Sequence, residues 1–443
     1  MKPRLLNLFV LGMMTSLCLH SSSVEAIFAS VKSTGMAATC ISYPLDTFSG
    51  AYNPAGMTDI GDRFDIEAAW VHDTGTATVV DNLPHPGVVG VSGTGAPVFG
   101  IIPASNGKYN GMQDENVFPV GFGINKTWCL SCDWELATGL IVYNRNYQKT
   151  TYKQPIPALG TTKPGLEYLN ETISPIIAIK WCNAHTLGIS ADFQVERLKV
   201  NGIENFDEPI FPGLPGGSVS PGHVTNNGYG WSTGWGVTIG YHGQITDELS
   251  IGLTYQPETT MRKIGKYDGF LAQHGRLNIP EKVGGGISYR FIPCLIVAFD
   301  VEWIRWSQVK ALHNPLLQDG TLEPLGSSDG PGFGFRDQVY YRVGTEWQVN
   351  ECLALRLGYR YANTPVKSSQ TAVNLLLLDM VESFVTTGAT WNISENNEVS
   401  FVFAYGFEKK MNGNGSIPAF LGGGNVNLKE QKYALGLAWG YNY

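Results

Sequence analysis

The residues with chemistry to offer are few. Cys129-Leu-Ser-Cys132 has the spacing of a redox or zinc pair, but no second pair accompanies it and no βαβ pattern surrounds it. The eight histidines form no His-Glu-x-x-His pair, no Gly-x-Ser-x-Gly elbow occurs, and no phosphate-cradling glycine loop lies between a strand and a helix. The chain is therefore expected not to be an enzyme and to use no cofactor or metal. Binding chemistry remains. A guanidinium is a planar fork that can take both oxygens of a carboxylate. Arg336 falls in phase with Gln338, Tyr340 and Arg342, opposite Val339, Tyr341 and Val343, while Arg356 and Arg360 alternate with Leu355, Leu357, Tyr359 and Tyr361. These arginines either meet a ligand or form a charge ladder with acids such as Asp300, Glu302 and Glu346.

Strands must carry them. From Tyr433 to Tyr443 the bulky residues Tyr433, Leu435, Leu437, Trp439, Tyr441 and Tyr443 alternate with Ala434, Gly436, Ala438, Gly440 and Asn442. Period two is the pleat of a strand, and a bulky face ending in aromatics fits lipid better than a soluble core. The same alternation marks strands near 64–72, 117–128, 134–148, 174–182, 186–200, 230–242 and 248–262, then 280–291, 294–309, 336–349, 352–367, 381–392, 397–410 and 429–443. This even set of fourteen is joined by short and long connections in alternation, the pattern of an all-β, transmembrane antiparallel barrel with its short turns in the periplasm. In the third strand, Asn144-Arg145-Asn146 interrupts the apolar face set by Leu136, Leu140 and Val142, which predicts either a kink or emergence into headgroups.

Composition agrees. Charged residues are 15% of the 443, against roughly 25% in an ordinary soluble domain. The formal charge of −8 and the lack of any basic run exclude a nucleic-acid partner. Lys2 and Arg4, an apolar run from Leu5 to Leu19, and Val24-Glu25-Ala26 read as a signal peptide over 1–26, which places the mature chain in the outer membrane. Residues 27–63 precede the first strand and are too few for a domain; they form a hatch that either hangs below the barrel, residues 64–443, or plugs its lumen. Small residues such as Gly284 to Gly286 would let such a segment approach the wall.

Within that segment, Gly35-Met36-Ala37 and Asp46-Thr47-Phe48-Ser49-Gly50-Ala51-Tyr52-Asn53-Pro54-Ala55-Gly56-Met57 resemble the hatch of the FadL family of outer-membrane transporters for long-chain fatty acids and other hydrophobic compounds. Asn53, Pro54 and Ala55 are the most specific short match. Further matches follow in order at Leu277-Asn278-Ile279-Pro280-Glu281, Trp306-Ser307-Gln308, Gly334-Phe335-Arg336-Asp337 and Thr364-Pro365-Val366. The chain departs from the family pattern at Tyr43-Pro44-Leu45-Asp46, where an acidic pair is usual, and at Cys40. The resemblance implies a hatch-plugged barrel of fourteen strands, passive diffusion of a fatty acid and a lateral exit at a kinked third strand. It also points to Arg336, with Arg342 and Lys310 as further candidates for the ligand carboxylate. The apolar loop stretches from Phe206 to Leu214 and from Leu375 to Met380 are candidates for an external groove.

Six mature cysteines, Cys40, Cys129, Cys132, Cys182, Cys294 and Cys352, fall in the hatch or at the short-turn rim. Their even number in an oxidising compartment predicts disulfides, either within the barrel, with Cys40 tied to a rim cysteine, or to neighbouring envelope proteins. The competing reading of the whole chain is a structural or adhesive barrel with a static plug.

Overall fold

A computed structural model describes residues 29–91, 97–207 and 217–443. The signal segment lies outside these ranges. Its strands are β1 (Arg63–Val80), β2 (His85–Val91), β3 (Pro97–Ile102), β4 (Gly107–Val117), β5 (Val120–Ser131), β6 (Trp134–Thr151), β7 (Gly165–Trp181), β8 (His185–Asn201) and β9 (Gly230–Gln244). They continue with β10 (Leu249–Gln256), β11 (Lys282–Ile292), β12 (Leu295–Ile304), β13 (Gln338–Asn350), β14 (Leu353–Ala362), β15 (Ser383–Asn392), β16 (Asn397–Met411) and β17 (Asn425–Asn442). Each wall strand pairs antiparallel with its neighbour, and β17 closes on β1 from Arg63 opposite Asn442 to Val80 opposite Asn425. Closure leaves no open edge in lipid, the condition for a sheet to cross a membrane.

The wall has fourteen strands because β4 and β5 are one strand broken at Phe118-Pro119. Both run antiparallel to β1, β4 against its distal half and β5 against Arg63 to Ala68. Pro119 has no N–H to give the ladder, and its carbonyl still accepts from Ala69 N at 2.9 Å. The connection expected over 73–116 is accordingly much shorter: β1 and β4 extend the wall beyond the membrane, and the β2–β3 hairpin stands in the remaining loop. Outward residues such as Trp235, Leu253, Phe299, Leu357, Phe401 and Leu437 are exposed. Such a continuous apolar belt has no place in water and is matched by acyl chains. Trp128, Trp134, Trp347, Trp391 and Tyr443 ring the short-turn side, where amphipathic rings sit at the headgroup level.

The segment before β1 fills the lumen. A single helical turn, α1 (Val31–Thr34), is capped by Ser30, whose side chain accepts from Ser33 N, and two 3-10 turns follow at Thr47–Ala51 and Pro54–Thr58. The wall admits this segment through its glycines. A Cβ on Gly252 would overlap Ile41, one on Gly344 would overlap Met36, and one on Gly188 would overlap the Pro54-Ala55 peptide. A Gly252→Val change is expected to cost about 1–3 kcal/mol of hatch seating through overpacking. Limited proteolysis should then cut the hatch faster while the barrel keeps its heat-dependent gel shift.

Candidate functional site

Acidic side chains of the wall take up the amide groups that the irregular hatch leaves unpaired. Asp300 Oδ2 accepts from Cys40 N at 2.7 Å and Ile41 N at 3.0 Å, and Glu67 Oε2 accepts from Val31 N at 2.7 Å. Lys32 and Arg63 converge on Glu398 at 2.8 and 2.6 Å, both nearly buried. Asn53 is the cap of the second 3-10 turn: its Oδ1 accepts from Ala55 N at 3.1 Å, and its Nδ2 donates to Ile41 O at 2.7 Å and to Tyr241 O at 2.9 Å. Pro54 follows at the first helical position, where a missing N–H costs nothing. One asparagine thus ties the turn to the rest of the hatch and to β9.

Two cavities lie on the long-loop side of the hatch. The outer one, about 920 Å³ including open solvent at its mouth, is built by the loops after β3, β6, β8, β10, β12, β14 and β16 and lined by Phe206, Phe270, Leu375, Leu376 and Leu421 among other apolar groups. Of the stretch 206–214, Phe206 therefore lines it, and residues 208–214 fall outside the described residues. The inner cavity, about 770 Å³ on the same measure, lies between β6, β7, β8 and the loops and is lined by Leu277, Trp306, Phe335 and Leu377. Leu271 and Phe333 line both, so the cavities adjoin.

The inner cavity has a polar end. The β6–β7 register shifts between Asn144 and Asn146; Arg145 keeps the lumen phase of Ile141 and Tyr143, and beyond the bulge both Tyr147 and Gln148 are buried. Arg145, Asn146 and Gln148 line the cavity there. The guanidinium is held by Gln256 Oε1 at 2.5 Å and Tyr143 Oη at 3.1 Å, with Asp192 Oδ2 at 3.7 Å. Further along β7, the β7–β8 pairing is interrupted between Ile173 and Ile176 at Pro175. β7 therefore has an irregular ladder on each side, at different points along its length.

Neither Arg336, Arg342 nor Lys310 lines these cavities. β13 begins only at Gln338, so Arg336 lies before the strand rather than in its lumen phase; it is exposed and donates through Nε to Thr364 O at 2.9 Å. Arg342 is buried against Glu302 at 2.8 Å, and Lys310 bridges Asp329 at 2.7 Å on the surface. The wall arginines form the charge ladder instead: Arg342 stands opposite Asp300 and Arg360 in register, and Arg356 Nε meets Glu346 at 2.6 Å. Alternation already sets Arg145 opposite the Leu136, Leu140 and Val142 face, but that it lines a cavity depends on the loops that cover it.

The six described cysteines are free thiols, with no bond between Cys40 and the rim. Cys40 is packed inside the hatch with its amide on Asp300, whereas Cys129, Cys132, Cys182 and Cys352 are exposed at the short turns and Cys294 is half-buried there. Burial pushes the Cys40 thiol up to about 12. A maleimide is expected to label the exposed rim thiols within minutes at neutral pH and to leave Cys40 unmodified until the chain is unfolded; mass mapping of the labelled peptides reads this directly.

The family described as outer membrane protein transport protein (OMPP1/FadL/TodX) matches residues 20–443. This chain belongs to that family. FadL/TodX membership and the closed barrel together place it in the outer membrane as a transporter of hydrophobic compounds. Similar solved structures include a Pseudomonas aeruginosa FadL homologue (13% identity, 96% of this chain and 99% of that one, TM-score 0.67). The P. putida toluene transporter TodX shares 13% identity over 93% and 97% of the two chains with a TM-score of 0.62. The Ralstonia pickettii toluene transporter TbuX shares 15% over 94% and 98% with a TM-score of 0.57. No curated protein sequence matches the chain.

Proposed function

We propose that this FadL/TodX member passes long-chain fatty acids, by diffusion and without chemical change, from the outer cavity to the inner one and then on past the hatch or through the weakened wall at β6. The observation that carries this reading is a two-cavity apolar path ending on the Arg145 guanidinium. An acyl chain needs a long apolar slot and its carboxylate a cation, and the path offers both in sequence. A second reading, transport of neutral aromatic hydrocarbons, is favoured by an outer cavity with no charged residue among the described residues of its lining and by Asp379 in the inner one. Titration of the refolded barrel with a fluorescent fatty acid, with palmitate and toluene as competitors, separates them. Saturable binding displaced by palmitate at far lower concentration than toluene supports the first, and the reverse order the second. Absence of saturable binding in a folded barrel would transfer the role to structure or adhesion, with the exposed rim thiols as contacts to envelope proteins.

A further inference from the structure

The segment from Ala372 to Met380, between β14 and β15, stands between the two cavities. Val373, Leu375 and Leu376 face the outer cavity, while Leu377 and Asp379 face the inner one. The segment is not part of the wall: 3-10 turns at Ser368–Gln370 and Val373–Leu375 carry it inward, and Asn374, Leu378 and Met380 are buried. It hangs from two regions of wall that are separated by β1 and the β4–β5 strand. Just past the end of β6, Tyr152 Oη donates to Leu375 O at 2.8 Å, and on β6 the Gln148 amide donates to Leu378 O. On β17, Glu430 Oε2 accepts from Met380 N at 2.5 Å, and Lys432 Nζ lies 3.4 Å from Asp379 Oδ1.

The charge balance at the β17 attachment makes it releasable. Lys432 is 2% exposed and also meets Glu430 at 3.1 Å and Asp73 at 3.8 Å, two buried carboxylates fixed on wall strands. Breaking a buried pair is costly when it leaves a charge unopposed. Lys432 stays opposed when Asp379 departs, and Asp379, one-third exposed toward the inner cavity, moves to a site where it is solvated. The hatch anchor is built the other way, with two cations on Glu398, and loses its balance if either is removed.

We infer that residues 372–380 are an internal gate between the outer and inner cavities, latched by Asp379 on Lys432 and suspended from β6 through Tyr152. The inference rests on the proposed reading of the cavities as a lipid path. Trp306 lines the inner cavity and not the outer, so it reports arrival past the gate. The full-length barrel in detergent is mixed rapidly with a mid-chain brominated fatty acid, and the quenching component that disappears in Trp306→Phe is followed among the 11 tryptophans. In the unaltered protein this component should lag behind saturation of the outer cavity, read with a polarity-sensitive fatty acid. Asp379→Asn and the milder Tyr152→Phe should each speed it roughly fivefold, the factor carried by one polar contact of ordinary net strength. The two variants act on separate attachments of the segment, and the heat-dependent gel shift verifies their folding. No lag, or no acceleration in either folded variant, overturns the gate while leaving the lipid path intact. No saturable binding in the unaltered barrel overturns the path itself, and the gate with it.

Discussion

An Asn53→Ala barrel is expected to leak. The change removes the cap on Ala55 N and both donations to Ile41 O and Tyr241 O, three hydrogen bonds from one side chain that is 1% exposed. At about 1 kcal/mol net for each, the loss is about 3 kcal/mol, or roughly a hundredfold in the population of barrels whose hatch has left its seat. The Ile41 carbonyl is left without its donor beside Gly252, where the wall has no side chain to replace it. Single-channel recording in planar bilayers should therefore show ion conductance where the unaltered protein is closed. The wall should keep its heat-dependent gel shift, because its ladders do not pass through Asn53. A variant as closed as the parent would show that the asparagine shapes only its local turn and that the Lys32 and Arg63 pairs with Glu398 hold the hatch by themselves.

Replacing Arg145 by Met should reduce fatty-acid affinity by roughly 10- to 100-fold, the value of a hydrogen bond to a charged group. Methionine keeps the length and apolar bulk of the side chain, so the inner cavity retains its shape. The neighbouring acid is not stranded by the change: Asp192 still accepts from Ser174 at 2.6 Å, Ser190 at 2.8 Å and Thr238 at 2.7 Å. The ratio of palmitate to toluene affinity, measured by competition, should fall, since only palmitate has a carboxylate to lose its partner. Arg336→Ala and Lys310→Ala, both away from the cavities, should leave palmitate affinity within about twofold, as surface changes remote from a site usually do. If Arg336→Ala weakens binding as much as Arg145→Met, the carboxylate end of the path has been placed wrongly.

The two predictions differ in how far they were visible before the fold. Asn53-Pro54-Ala55 was legible because a cap and its turn are local: the side chain acts on a backbone N–H two residues away. That the same amide would also bind Tyr241, 188 residues on, was not, since nothing in the spacing ties the hatch to β9. Arg336 and Arg145 show the opposite case. Both arginines were noticed, and alternation sets Arg145 opposite the Leu136, Leu140 and Val142 face, but the start of β13 at Gln338 and the loops that close a cavity over Arg145 are features that alternation does not encode.

The chain by itself determined the barrel. Period-two alternation, alternating turn lengths and aromatic strand ends are properties of neighbours in sequence, and lipid outside with water inside leaves them one closed arrangement. Only the tertiary structure decided what the barrel encloses. The glycines that admit the hatch, the cavities made by loops from separate connections, the partition at 372–380 and the burial of Cys40 are matches between segments far apart in the chain. Complementarity of that kind depends on strand register, summed around fourteen strands, and register exists only once the wall has closed.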